Sequence, residues 1–185
     1  MQFETAVAVE RAMDLFWSQG YAGTTPQQLA TEMGIGKGSL YNTFESKHSL
    51  FVRALERYSE MRLHYLADLF GSPGPVAPRL KQAAVVLSGL GEHQRGCVMV
   101  NATAELGTVD GDVTRIADTL FTGIASAFEQ AITGGRESGE LTGDEAPGIA
   151  ARRLLALVIG LSVLVRSGGP AADGLLTIEG LVDAL

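Results

Sequence analysis

The apolar positions of this chain recur at helical spacing almost from its first residue. Ala8, Ala12, Leu15 and Phe16 form an i, i+4, i+7, i+8 stripe that stops at Gly20, a residue type favoured just past a helix end. Thr25-Pro26-Gln27-Gln28 reads as the next start, with Thr25 as N-cap, proline at the first helical position and Gln28 placed to complete a capping box; this second helix runs to about Met33. Gly34 supplies a left-handed turn, Ile35 plugs the corner, and spacing resumes from about Gly36 to Phe44 through Leu40 and Phe44. Ser46 then caps a longer helix with Leu50, Phe51, Ala54, Leu55 and Tyr58 on its buried side, running to about Phe70 before Gly71-Ser72-Pro73-Gly74-Pro75 breaks it. Further helices are expected at 78–90, 97–106, 112–133, 145–166 and 172–184, with Gly134-Gly135 and Ser167-Gly168-Gly169-Pro170 as breaks. Period-two alternation and solenoid repeats are not seen, so the expected class is all-α.

Composition narrows the picture. With 185 residues, 46% hydrophobic and 19% charged, the chain is too apolar to be disordered and long enough for one substantial core or two smaller ones. A single cysteine, Cys97, excludes an intramolecular disulfide and any zinc site built on several thiolates. The longest strongly apolar run, Leu154 to Val165, spans 12 residues where a membrane-spanning helix needs about 20, so no span is expected. The first 16 residues carry Glu4, Glu10, Arg11 and Asp14, unlike a secretory signal, and a cytoplasmic protein is expected. The net charge of −7 argues against sequence-blind binding to nucleic acid, but it is uneven: −1 over residues 1–62 and −6 over 63–185.

Residues 25–44 are two short helices joined by a glycine turn, the arrangement that lays a second helix in the DNA major groove. Any helical bundle contains such corners, so the side chains matter more. Leu40 and Phe44 point one way on the second helix; Gly38, Ser39, Tyr41 and Asn42 point the other, and Gly36 to Thr43 contains no acidic residue. Lys37, and Lys47 with His48, stand at helix starts, where the dipole disfavours cations. A bound phosphate removes that conflict; the competing reading is simply solvated surface lysine.

Ala12-Met13-Asp14-Leu15-Phe16, Gly20-Tyr21, Thr24-Thr25, Leu29-Ala30, Met33-Gly34-Ile35, Lys37-Gly38-Ser39-Leu40-Tyr41, Phe44, Lys47 and Leu50-Phe51 together closely resemble the N-terminal domain of the TetR/AcrR transcriptional regulators. The resemblance covers about 50 residues almost without gaps. It implies a three-helix DNA-binding domain, here 1–48, and a helical effector-binding and dimerisation domain, here 49–185. It further implies a homodimer on a palindromic double-stranded operator, usually a repressor released by a small molecule. At matching positions Thr25, Tyr41 and Lys47 are expected at phosphates, and Lys37, Gly38, Ser39 and Asn42 near base edges or flanking backbone. Gly36 departs from the serine or threonine cap usual there, and the basic arm that many members carry ahead of the first helix is missing.

The stretch Arg95 to Ala102 with Glu105-Leu106 looks like a motif of one branch of the family, at the entry to a helix lining the effector cavity. Cys97 there is a candidate thiol sensor, against the plainer reading of a small buried apolar residue. His93, Cys97 and Glu105 make an unconvincing metal set, and no metal or cofactor is expected. Met61, His64, Tyr65, Cys97, Met99, Phe121 and Phe128 are candidate walls for an apolar or aromatic effector, although such stripes are more often core. From Ile149 to Val165 the chain is apolar on nearly every side, which a dimer core would bury; the family dimerises through its last two long helices, here 145–166 and 172–184.

Two other classes compete. One is a helical enzyme or small-molecule-binding protein with a vestigial helix-turn-helix, the other a protein-interaction module using Tyr41 and Asn42. Nucleophile-base pairs, paired carboxylates and phosphate loops are not recognisable; Gly34-Ile35-Gly36-Lys37-Gly38-Ser39 lacks P-loop spacing, so no enzyme is expected.

Overall fold

A computed structural model describes residues 2–90 and 95–185, the side chains of 2–4 and 172 excepted. The described residues form nine helices and no strand: α1 (Gln2–Gly23), α2 (Pro26–Met33), α3 (Lys37–Phe44), α4 (Lys47–Gly71), α5 (Val76–Ser88), α6 (Val98–Leu106), α7 (Gly111–Glu137), α8 (Pro147–Arg166) and α9 (Ala171–Asp183).

The first core is small. Ala12 and Phe16 of α1, Leu29 and Ala30 of α2, Leu40 and Phe44 of α3, and Leu50 and Phe51 of α4 are all buried. Phe16 meets Phe51 edge-on at 4.9 Å, and Tyr21 packs on the same ring at 4.9 Å. The second core is a bundle in which α7 packs most extensively on α8 and α4. Its spine is the α7 stripe of Val113, Ile116, Leu120, Ile124, Phe128 and Ile132. Helix α4 belongs to both cores: Leu50, Phe51 and Ala54 serve the first, Leu66 the second, and Phe70 meets Phe128 edge-on at 6.3 Å. The expected boundary at residue 48 therefore falls in the first turn of a continuous helix.

Local signals behave as their chemistry dictates. Thr25 and Gln28 form the reciprocal capping box, Gly34 is left-handed (φ 70°), and the Ser46 side chain accepts from the Ser49 N–H. Gly20 breaks α1 at φ 76°, ψ 173°. The loop after α4 is held by one guanidinium: Arg79 donates to the carbonyls of Phe70, Ser72, Gly74 and Pro75.

Three expectations need correction. Helix α5 lies two residues earlier than 78–90, because Gly89 takes the left-handed cap and returns its N–H to Val85 and Val86. Helix α7 does not end at Gly134-Gly135; it runs on to Glu137, and Gly135 is where Val76 and Leu141 press against the helix, so that a Cβ there would sit 2.6 Å from Val76 Cγ1. The pair is a close-approach site rather than a break. Finally, α8 is, by length and composition, long and apolar enough to cross a membrane. Here it is a bundle helix, burying Ala150, Leu154, Val158, Leu161 and Val165 against its neighbours. Its other side, with Ile149, Val163 and Leu164, stays open, as do Leu175 and Leu176 of α9.

The two adjacent glycines of α7 should respond with opposite signs. Gly134→Ala meets nothing within 4 Å and should stabilise by about 0.5–1 kcal/mol through helix propensity. Gly135→Val should destabilise by roughly 1–3 kcal/mol through overpacking. Chemical denaturation of the two variants checks both.

Candidate nucleic-acid interface and effector cavity

Helices α2 and α3 meet through a tight corner in which the Ile35 N–H reaches the Ala30 carbonyl at 3.0 Å. Leu40 and Phe44 anchor α3 in the core with no exposure. Every intervening polar position is outside: Lys37, Gly38, Ser39, Tyr41, Asn42 and Thr43 are exposed on one side of the helix. Gly36 caps α3 without a side-chain bond, which leaves amide donors at its start open to an anion.

Thr25 lies at the start of α2 with its N–H and hydroxyl both donating to Gln28 Oε1 at 2.8 Å. Lys47 sits on the Tyr21 ring, its Nζ 4.2 Å from the centroid. Burial lowers its pKa, and Glu105 draws it back up. His48, read beside Lys47 as part of a cationic helix start, turns instead to the second core: its Nε2 lies 2.7 Å from Asp110 Oδ2. A feature that periodicity does not show is Glu45, the one non-glycine residue with positive φ (65°) among the described residues, at the turn between α3 and α4.

Two contacts join this unit to the bundle. The Gly20 break frees the N–H groups of Tyr21 and Ala22, and Glu105 of α6 accepts both, at 2.9 and 2.6 Å. Asp110 caps α7 by accepting from Asp112 and Val113 while it holds His48. The sequence showed Glu105 as part of a motif and of a weak metal set but not in this role, because its partners are backbone amides more than 80 residues away. His48, Asp110 and Asp112 are also the one grouping among the described residues that could hold a metal ion. Asp110 is already committed to a cap, and Asp112 lies 3.3 Å from Arg115.

Behind this junction lies a small apolar cavity lined by Tyr58 and Arg62 of α4, Cys97, Phe121 of α7, and Leu155 and Ile159 of α8, among others. Its free volume is about 10 Å³, room for about one water molecule, so its own side chains nearly fill it. Cys97 is buried as the N-cap of α6 and receives a hydrogen bond from the Tyr58 hydroxyl at 3.3 Å. Burial holds the Tyr58 hydroxyl far above its usual pKa, so it stays a donor. Of the seven candidate wall residues, Cys97 and Phe121 are brought together here. Met99 and Phe128 are fully buried in the core, Tyr65 is partly buried, and Met61 and His64 are exposed on the outer side of α4, His64 beside Asp68. His93 lies outside the described residues.

The model of the "Bacterial regulatory proteins, tetR family" matches residues 8–54, and that of the "Tetracyclin repressor-like, C-terminal domain" matches residues 67–172. This chain belongs to the TetR family. Its similar proteins include the uncharacterized regulator YezE of Bacillus subtilis, 28% identical over 78% of this chain and 76% of that protein. The transcriptional repressor NemR of Escherichia coli is 28% identical over 89% of this chain and 86% of its own length. Among solved structures, a cysteine mutant of the TetR-family regulator CifR, complexed with 26-bp operator DNA, superposes with TM-score 0.74 at 28% identity, covering 96% of this chain and 94% of that one. The family and these relatives are transcriptional regulators rather than enzymes.

The Asp110 junction carries a pH signature in this TetR-family protein. Burial alone would raise the Asp110 pKa, but the Val113 N–H, His48 and the Asp112 N–H together bring it below the usual 3.8. A depressed carboxyl pKa contributes stability above the unfolded value, lost as pH falls through the folded one. Asp110→Ala should cost about 1 kcal/mol near neutral pH, a melting shift of about 2–4 °C. The difference from the parent should shrink below about pH 4, read by thermal unfolding across pH.

Proposed function

We propose that this chain is a ligand-responsive transcriptional repressor that binds a palindromic operator as a homodimer and is released by a small-molecule effector. The observation that carries the reading is the outer face of α3: polar, free of acidic residues, and exposed at every position that Leu40 and Phe44 do not bury. In this reading Lys37, Gly38, Ser39 and Asn42 approach base edges or the flanking backbone, and Thr25, Tyr41 and Lys47 hold phosphates. Phosphate contacts set the register, and base-edge contacts supply the sequence preference. Lys47 reaches phosphate by leaving the Tyr21 ring, while Thr25 turns its hydroxyl hydrogen from Gln28 Oε1 to a phosphate oxygen and still accepts from the Gln28 N–H.

The repressor assignment is supported by similarity to NemR, and operator binding by similarity to the CifR complex. The division into a DNA-binding unit (1–48) and an effector and dimer unit (49–185) is supported by the match of two separate family models, over 8–54 and 67–172, with α4 as the shared element. Homodimerisation through 145–166 and 172–184 is supported by the open apolar sides of α8 and α9: Val163, Leu164 and Leu176 are each more than half exposed in the single chain. The cavity bounded by Cys97 and Phe121 is the effector site in this reading, suited to an apolar or aromatic ligand, and the protein works in the cytoplasm, where its DNA is.

The decisive experiment is recovery of genomic DNA fragments by the purified protein, followed by footprinting. Two inverted half-sites are expected; no enrichment at low salt overturns the reading. On the recovered site, Lys37→Ala and Tyr41→Ala should each weaken binding roughly tenfold or more with an unchanged helical spectrum. Leu164→Glu with Leu176→Glu should convert the dimer to a monomer in analytical ultracentrifugation and remove operator binding with it.

A further inference from the structure

The cavity lining is apolar except for the Tyr58 hydroxyl, the Cys97 thiol and the guanidinium of Arg62, its one cation. Arg79, Arg95 and Arg136, the other partly buried arginines among the described residues, each donate to carboxylate or carbonyl oxygens. Arg62 does not: it faces the rings of Tyr58 and Trp17, at 4.9 and 5.9 Å from their centroids, and the Tyr58 hydroxyl. Its Nε is sealed from solvent without a hydrogen-bond partner. The same holds for Trp17 Nε1 and for Arg95 Nε, and Arg95 stacks on the same indole at 4.4 Å. Two guanidinium groups thus face one indole, and of the two Arg95 is paired with a carboxylate, Asp14 at 3.2 Å.

A buried donor without an acceptor is costly, and a buried cation without an anion more so. The unmet groups of Arg62, Trp17 and Arg95 are N–H donors, and the Tyr65 hydroxyl, also buried without a partner, lies in the field of Arg62; a negatively charged acceptor on a ligand suits the N–H groups and the guanidinium together. The apolar walls, by contrast, offer nothing to a polar body. We infer that the effector is an amphiphilic anion, an aliphatic or aromatic body carrying a carboxylate or similar acid group, with Arg62 receiving the acid group at the Trp17 edge of the cavity. The inference rests on the cavity being the effector site. It adds charge to the apolar or aromatic class already assigned, and it places the ligand's head against α1, the helix whose Gly20 break is held by Glu105.

Trp17 is the chain's single tryptophan and reports on this corner directly. Octanoate and octanamide, nearly isosteric and differing in charge, are titrated against its fluorescence in the full-length protein. Octanoate should bind at least about tenfold more tightly, the scale of a charge-assisted hydrogen bond in a low-dielectric site. Arg62→Met should bring octanoate down to the octanamide level, and Arg62→Lys should retain most of the preference, which separates loss of charge from loss of fold. Ile124→Phe, which fills the cavity, should weaken both probes. Equal binding of both probes by the parent, or an octanoate preference that survives Arg62→Met, overturns the anion assignment; if Ile124→Phe still weakens both, the effector cavity itself stands. Octanoate binding indifferent to Ile124→Phe overturns the cavity reading as well, and failure of octanoate to bind overturns the inference.

Discussion

One carboxylate closes the joint on which the molecule turns. Gly20 ends the regular part of α1 with a left-handed step, and the next two amides, Tyr21 and Ala22, face away from any helical acceptor. Glu105 satisfies both from α6, the helix whose first residues border the cavity. Charge-assisted bonds to backbone amides are short and directional, so α6 and the end of α1 move together or the bonds are lost. His48 and Asp110 repeat the arrangement one helix further on, tying the start of α4 to the start of α7.

These ties explain why two cores act as one body. Helix α4 runs unbroken from the first to the second, so the position of Leu50 and Phe51 in the first core is set by the same rod that carries Tyr58 and Arg62 into the cavity wall. The cavity is almost closed, and a ligand that enters it must part α4, α7 and α8. In the proposed reading, opening at Tyr58 and Cys97 acts on α4 and on the N-terminus of α6, the helix whose Glu105 holds the end of α1. A close-packed interior passes such displacements on rather than absorbing them.

Charge is distributed to match. The outward side of α3 carries no carboxylate, and the acidity lies in the larger bundle, where repulsion toward a duplex is screened beyond about 10 Å. The open apolar strip on α8 and α9 is the remaining surface that water does not suit. A helix apolar enough to cross a bilayer, yet carrying Arg152, Arg153 and Arg166, has one covered side in the single chain and one open side.

The sequence by itself determined the helices, the corner between α2 and α3, its caps at Thr25, Gly34 and Ser46, and the exposed side of α3, because capping and amphipathic spacing act within a few residues of one another. It also carried the family motif. The extent of α7 was not legible: Gly134-Gly135 looks like a break until Val76 and Leu141 are seen pressing on Gly135. Nor was the division among the candidate cavity residues, since Met61 and His64 share a helix with Tyr58 and Arg62 and differ only in which neighbours α4 meets. Only the tertiary structure decided that Lys47 rests on Tyr21, that His48 answers to Asp110, and that Glu105 holds α1. Each of those partners lies tens of residues away along the chain, and a local pattern holds no information about what the fold will bring to it.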